Sequence, residues 1–154
     1  MTLPTLWTVG YEGADQGAFL ATLEAAGVTL LADTRERAQS RRRGYSKTAL
    51  SQALAECGIG YRHLRTLGTP PPVRKAYKLD HDFQALEAAY TLHLATQGEA
   101  LEDLGALAGR ERVALLCFEA DPKACHRSLI ARRLRALGLV GEVVDLDIPG
   151  CRPT

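Results

Sequence analysis

The run Cys117-Phe118-Glu119-Ala120-Asp121-Pro122-Lys123-Ala124-Cys125-His126-Arg127-Ser128 holds two thiols, a carboxylate, an imidazole and two cations. Lys123, His126 and Arg127 flank Cys125 and favour its thiolate, so Cys125 is a candidate nucleophile. Glu119 and His126 are types that move protons near neutral pH. Asp121-Pro122 reads as a helix N-cap and first helical residue, which places Cys125 in the first turns. Free N–H groups and the helix dipole favour negative charge there, so Arg127 and Ser128 are candidate anion ligands. Cys117 falls at the apolar end of a strand and is expected in the core. Cys-x7-Cys-His lacks the tight ligand pairs of ordinary zinc sites, so no metal is expected.

A second group follows two earlier apolar runs. Gly10 and Gly13 bracket Tyr11-Glu12, where glycine permits positive φ or a close backbone approach. Glu12 is an acid/base candidate and Tyr11 a binding one. Asp33-Thr34-Arg35-Glu36-Arg37 follows the next run. Period-two geometry puts Asp33 and Arg35 on one side. They form either a structural ion pair or an anion clamp in which Asp33 orients the planar Arg35 guanidinium. Arg37 adds charge. Arg41-Arg42-Arg43-Gly44-Tyr45 is either a solvated face or a loop closing over phosphate. Of the other histidines, His93 reads as core, His81 as a helix start and His63 as either.

The net charge of +1 conceals an asymmetry. From Arg35 to Lys78 there are eleven Lys/Arg and two acids, a net of +9; the rest carries eight bases and sixteen acids, a net of −8. A basic middle on a near-neutral chain points to a local anionic partner. With 154 residues, 46% apolar and 24% charged, the chain suits one domain over 1–154 with a core of its own. Mean hydropathy is −0.11, with no membrane span and no signal-peptide pattern, so no membrane partner and a cytoplasmic location are expected. Cys57, Cys117, Cys125 and Cys151 form no CxxC pair, and free thiols are expected.

Strand-like runs occur at 6–9, 28–32, 61–64, 113–118 and 143–146. Between them Asp15, Ser46 and Asp80 or Asp82 are helix caps, Gly27 and Gly58 are stops, and 100–108 reads as a helix ending at Gly109. Residues 68–72 read as a stiff loop. The alternation predicts a three-layer α/β fold with about five mainly parallel strands and helices on both faces. Ligands of such sheets bind beyond the carboxyl ends of the strands, where the two groups above accumulate.

Thr8-Val9-Gly10-Tyr11-Glu12-Gly13, Asp33-Thr34-Arg35, Tyr61-Arg62-His63-Leu64, Leu67-Gly68-Thr69-Pro70 and the run from Cys117 to Arg127 occur in that order. Together they resemble the domain-of-unknown-function family numbered 488. Thr34 stands where that family usually has Val. The resemblance implies a small cytoplasmic α/β protein and supplies no activity. A weaker layout likeness is to rhodanese-like sulfurtransferases, in which a strand ending in Cys leads through a loop to a helix start; the loop here is longer.

The residues support an enzyme acting on a small phosphate-bearing or nucleotide-like anion. Its catalytic candidates are Glu12, Glu119, Cys125 and His126. Its binding candidates are Tyr11, Asp33, Arg35, Arg37, Arg127 and Ser128. Two alternatives stand beside it: a nucleic-acid-binding module using 35–78, and a thiol or sulfur-transfer protein using Cys117 or Cys125. No cofactor, reaction or oligomeric state is specified.

Overall fold

The apolar runs become strands of one sheet in the computed structural model, which describes residues 2–121 and 125–149. The strands are β1 (Leu6–Gly10), β2 (Leu30–Asp33), β3 (Gly60–His63), β4 (Val113–Cys117) and β5 (Val143–Asp145). Every pairing is parallel, in the order β3-β2-β4-β1-β5. β1, β2 and β4 are buried along their whole length, which suits their near-continuous apolar sequence.

The helices are α1 (Gln16–Ala25), α2 (Lys47–Glu56), α3 (Pro71–Asp80), α4 (Phe83–Ala95), α5 (Gly98–Arg110) and α6 (His126–Ala136). Connections from β1 to β2 to β3 step one way along the sheet, and those from β3 to β4 to β5 step back. Right-handed crossovers therefore put α1 and α2 on one face and α4, α5 and α6 on the other. The core divides accordingly. Trp7, Val9, Leu31, Ala114 and Leu116 pack with Phe19, Leu23, Leu50 and Leu54 of α1 and α2. Leu6, Leu30, Ala32, Val113 and Leu115 pack with Tyr90, Leu104, Ile130 and Leu134. Successive strand residues thus serve opposite layers.

Asp15 and Asp82 cap α1 and α4 by accepting the Ala18 and Ala85 amides. Ser46 precedes α2, but its hydroxyl is engaged by the backbone of Ser40. Three sequence expectations change. The stretch 68–72 contains the start of α3, because a proline ring presets φ for a first helical turn and the missing N–H costs nothing there. His81 ends that helix in a left-handed conformation, φ 52°, and does not start the next. α6 begins at His126 with Cys125 as its N-cap, so Asp121 lies outside it. Pro122, Lys123 and Cys151 lie outside the described residues.

Candidate functional site

β1 ends at Gly10, which passes so close to the next loop that a Cβ would overlap the Glu119 carbonyl oxygen and the Arg127 guanidinium. The chain then turns through Gly13, φ 71°. Tyr11 is buried, stacked on Tyr45 at 4.4 Å between ring centroids and edge-on to Phe118 at 5.4 Å. Glu12 accepts the Ala120 amide at 3.1 Å, tying the end of β1 to the loop after β4.

β2 delivers Asp33 and Arg35 to the same edge. Asp33 accepts Nε of Arg35 at 2.8 Å, Nη2 at 2.7 Å, the Arg35 amide at 3.1 Å and the Tyr61 hydroxyl. Arg35 also donates Nη1 to the Tyr45 carbonyl at 2.7 Å and the Tyr11 hydroxyl at 3.3 Å. Burial alone would lower the Arg35 pKa, but the Asp33 carboxylate more than reverses this and raises it. Burial and the hydrogen bond to Asp33 raise that of Tyr61. The two residues are paired, as both readings of them require. Two histidines hold the carbonyls that follow β2: His126 Nε2 donates to Thr34 at 2.8 Å and His63 Nε2 donates to Arg35 at 2.7 Å.

β4 delivers the third group. Cys117 continues the Val113-Leu115 alternation, so it faces α6. Cys125, at the N-cap of α6, sits over it, and the two sulfurs are joined in a disulfide. This corrects the expectation of free thiols at both positions: fold topology brings together two cysteines whose spacing along the chain gave no sign of pairing. Cys57 is free. Cys117, Cys125 and His126 present their donor atoms within 4.8 Å of one another. Arg127, 0% exposed, donates to the carbonyls of Glu119 at 3.0 Å and Ala120 at 3.1 Å, so it braces the loop. Ser128 donates to the Cys125 carbonyl at 2.9 Å, a bond within the helix start. Burial pushes His126 down to about 4 and raises Glu119 above its ordinary range.

Above these groups opens a cavity of about 650 Å³. Tyr11, Arg35, Arg37, Glu119 and His126 line it; Glu12, Asp33, Cys125, Arg127 and Ser128 do not. Its remaining wall includes Arg41, Arg42, Phe118, and Arg74, Tyr77, Lys78 and His81 from α3 and its C-cap. Arg74 also reaches Glu36 at 3.3 Å. The basic stretch 35–78 took in Arg74 and Lys78, but no residue of α3 was singled out as part of the site. Arg74 and Lys78 stand four apart, with Tyr77 beside them, a helical spacing that the preceding prolines disguised. His93, read as core, is only partly buried and donates to the Thr66 carbonyl at 2.7 Å.

A parallel α/β sheet with a basic, aromatic-walled cavity beyond its carboxyl edge defines the class of protein. Residues 16–134 match the family model described as Domain of unknown function DUF488, and the chain belongs to that family. No curated protein and no solved structure matches it. Among the described residues no helix is long and apolar enough to cross a membrane.

Proposed function

We propose that the chain is an enzyme acting on a small phosphate-bearing or nucleotide-like anion bound in this cavity. One observation carries the reading. Among the described residues, Arg35, Arg37, Arg41, Arg42, Arg74 and Lys78 line a hollow whose acids are Glu36 and Glu119, with Tyr11, Tyr77 and Phe118 as aromatic surfaces. Its volume falls within the roughly 300–1,000 Å³ usual for small-molecule sites. Cations lower the energy of a phosphate, and aromatic faces suit a base or another planar group.

The roles follow from position. Arg37, Arg41, Arg42 and Lys78 bind the anion. Arg35 adds charge from the floor, its fork already engaged by Asp33. Asp33, Glu12 and Arg127 position the floor through the contacts described above. Glu119 and His126 line the cavity and are the groups able to pass protons to a bound ligand. Cys125 carries no thiol while paired with Cys117, which weakens its part as nucleophile in that state.

The concave arrangement favours a small ligand over extended nucleic acid, because cations from two chain segments converge on one hollow. The direct test is a thermal-shift panel of inorganic phosphates, sugar phosphates and nucleotides, run on the wild type and on Arg41→Ala. Stabilisation of the wild type by one class, reduced in the variant, supports the reading. No response to any phosphate compound, or preference for long polynucleotides with steep salt dependence, overturns it.

A further inference from the structure

We infer that the reduced chain binds one zinc-type divalent ion through Cys117 Sγ, Cys125 Sγ and His126 Nδ1. The inference concerns the floor of the cavity and shares one residue with the anion reading: a metal-bound His126, its Nε2 hydrogen held by Thr34, leaves proton transfer to Glu119. Three geometric facts carry it. The three donor atoms lie within 4.8 Å of one another. Cys125 Sγ and His126 Nδ1 are 3.8 Å apart. A tetrahedral ion, with about 2.3 Å to sulfur and 2.0–2.1 Å to nitrogen, holds its donors roughly 3.4–3.8 Å apart. The Cα atoms of Cys117 and Cys125 are 7.1 Å apart, which once the disulfide is reduced leaves room for the two sulfurs to stand apart around an ion.

The surroundings fit as well. His126 gives its Nε2 hydrogen to the Thr34 carbonyl at 2.8 Å. That bond fixes the tautomer and turns the Nδ1 lone pair toward Cys125, the second contact that metal-bound histidines characteristically make. The Arg127 amide donates to Cys125 Sγ at 3.5 Å, and the Arg127 guanidinium lies 3.8 Å from Cys117 Sγ. Both stabilise thiolates. Two thiolates, a neutral imidazole and a divalent ion are together neutral, which suits a buried place. Three protein ligands leave the fourth tetrahedral position for water or a ligand.

Metal and disulfide exclude each other. A dithiol reductant supplies two electrons and two protons, cleaving the sulfur–sulfur bond to two thiols while it becomes a disulfide itself. Zinc then displaces both thiol protons and takes up the two thiolates.

The test uses the full chain, reduced by a dithiol under anaerobic conditions, freed of reductant and titrated with Co²⁺, then Zn²⁺. The expected result is one equivalent of Co²⁺ with thiolate-to-cobalt charge-transfer bands and tetrahedral d–d bands, displaced by Zn²⁺. The doubly substituted Cys57→Ser, Cys151→Ser chain keeps the same spectrum. Cys125→Ser, checked for folding by circular dichroism, loses more than about a hundredfold in affinity. If Cys125→Ser does not fold, the spectrum of the doubly substituted chain decides. Less than a tenth of an equivalent bound, an octahedral spectrum without thiolate bands, or a signal lost with Cys57 and Cys151 overturns the inference.

Discussion

Asp33 and Arg35 form a forked ion pair across the end of β2, with Nε and Nη2 of Arg35 at 2.8 and 2.7 Å from the two carboxylate oxygens. Both are buried, Asp33 fully and Arg35 at 6% exposure. The pair fixes the loop that carries Arg37, Arg41 and Arg42 into the cavity. Removing one partner leaves the other as an uncompensated buried charge. Arg35→Ala is therefore expected to cost about 3–5 kcal/mol, read by urea denaturation. Replacing both residues together with apolar ones of similar volume is expected to recover part of that loss. A single variant as stable as wild type contradicts this account of the loop.

Gly10 gives a second, backbone-level prediction. Gly10→Ala places a methyl against the Glu119 carbonyl and the Arg127 guanidinium, and the carbonyl cannot swing aside as a side-chain tip could. The expected loss is about 1–3 kcal/mol. Gly109, inside α5, meets nothing within 4 Å, and Gly109→Ala is expected to stabilise by about 0.5–1 kcal/mol. Melting curves of the two variants should move in opposite directions.

The pH dependence of the disulfide-bonded, metal-free chain follows from His126. Burial holds its pKa near 4, below the ordinary 6.5. Between those values the unfolded chain binds the proton and the folded chain does not, so stability falls as pH drops through that window. Glu119 acts with opposite sign. Its folded pKa is raised by burial, so it stabilises most where both states are protonated and loses that contribution as pH rises past the ordinary carboxylate value. His126→Gln keeps a donor for the Thr34 carbonyl and removes the titration. Its melting temperature is expected to fall less than that of wild type between pH 6.5 and 4. Parallel profiles contradict the assignment.

Strand positions were legible because β1, β2 and β4 are buried on both faces and are therefore mostly apolar. The order β3-β2-β4-β1-β5 was not, since apolar runs do not say which neighbour they meet. Helix α3 was hidden because its first two residues are prolines, which mark a loop as readily as a first turn. The strand-end rule picked out Tyr11, Arg35 and Glu119, which line the cavity. It could not reach Arg74, Tyr77 and Lys78, whose place depends on how α3 folds back over the sheet. The approach of Cys125 to Cys117 likewise exists only once the crossover from β4 to α6 is made.

The cations of the cavity wall give a further prediction. Arg37 and Arg41 make no ion pair or hydrogen bond recorded among the described residues and line the hollow. Arg37→Ala and Arg41→Ala should leave the unfolding free energy within about 0.5 kcal/mol of wild type, while each weakens phosphate binding severalfold.

Calorimetric titration with a nucleoside diphosphate and with pyrophosphate, at two salt concentrations, tests the central claim most directly. The account predicts saturable one-to-one binding of at least one of them to wild type, weakened at least tenfold in the Arg37→Ala, Arg41→Ala double variant. Absence of heat with both, or binding that survives the double substitution undiminished, would contradict it.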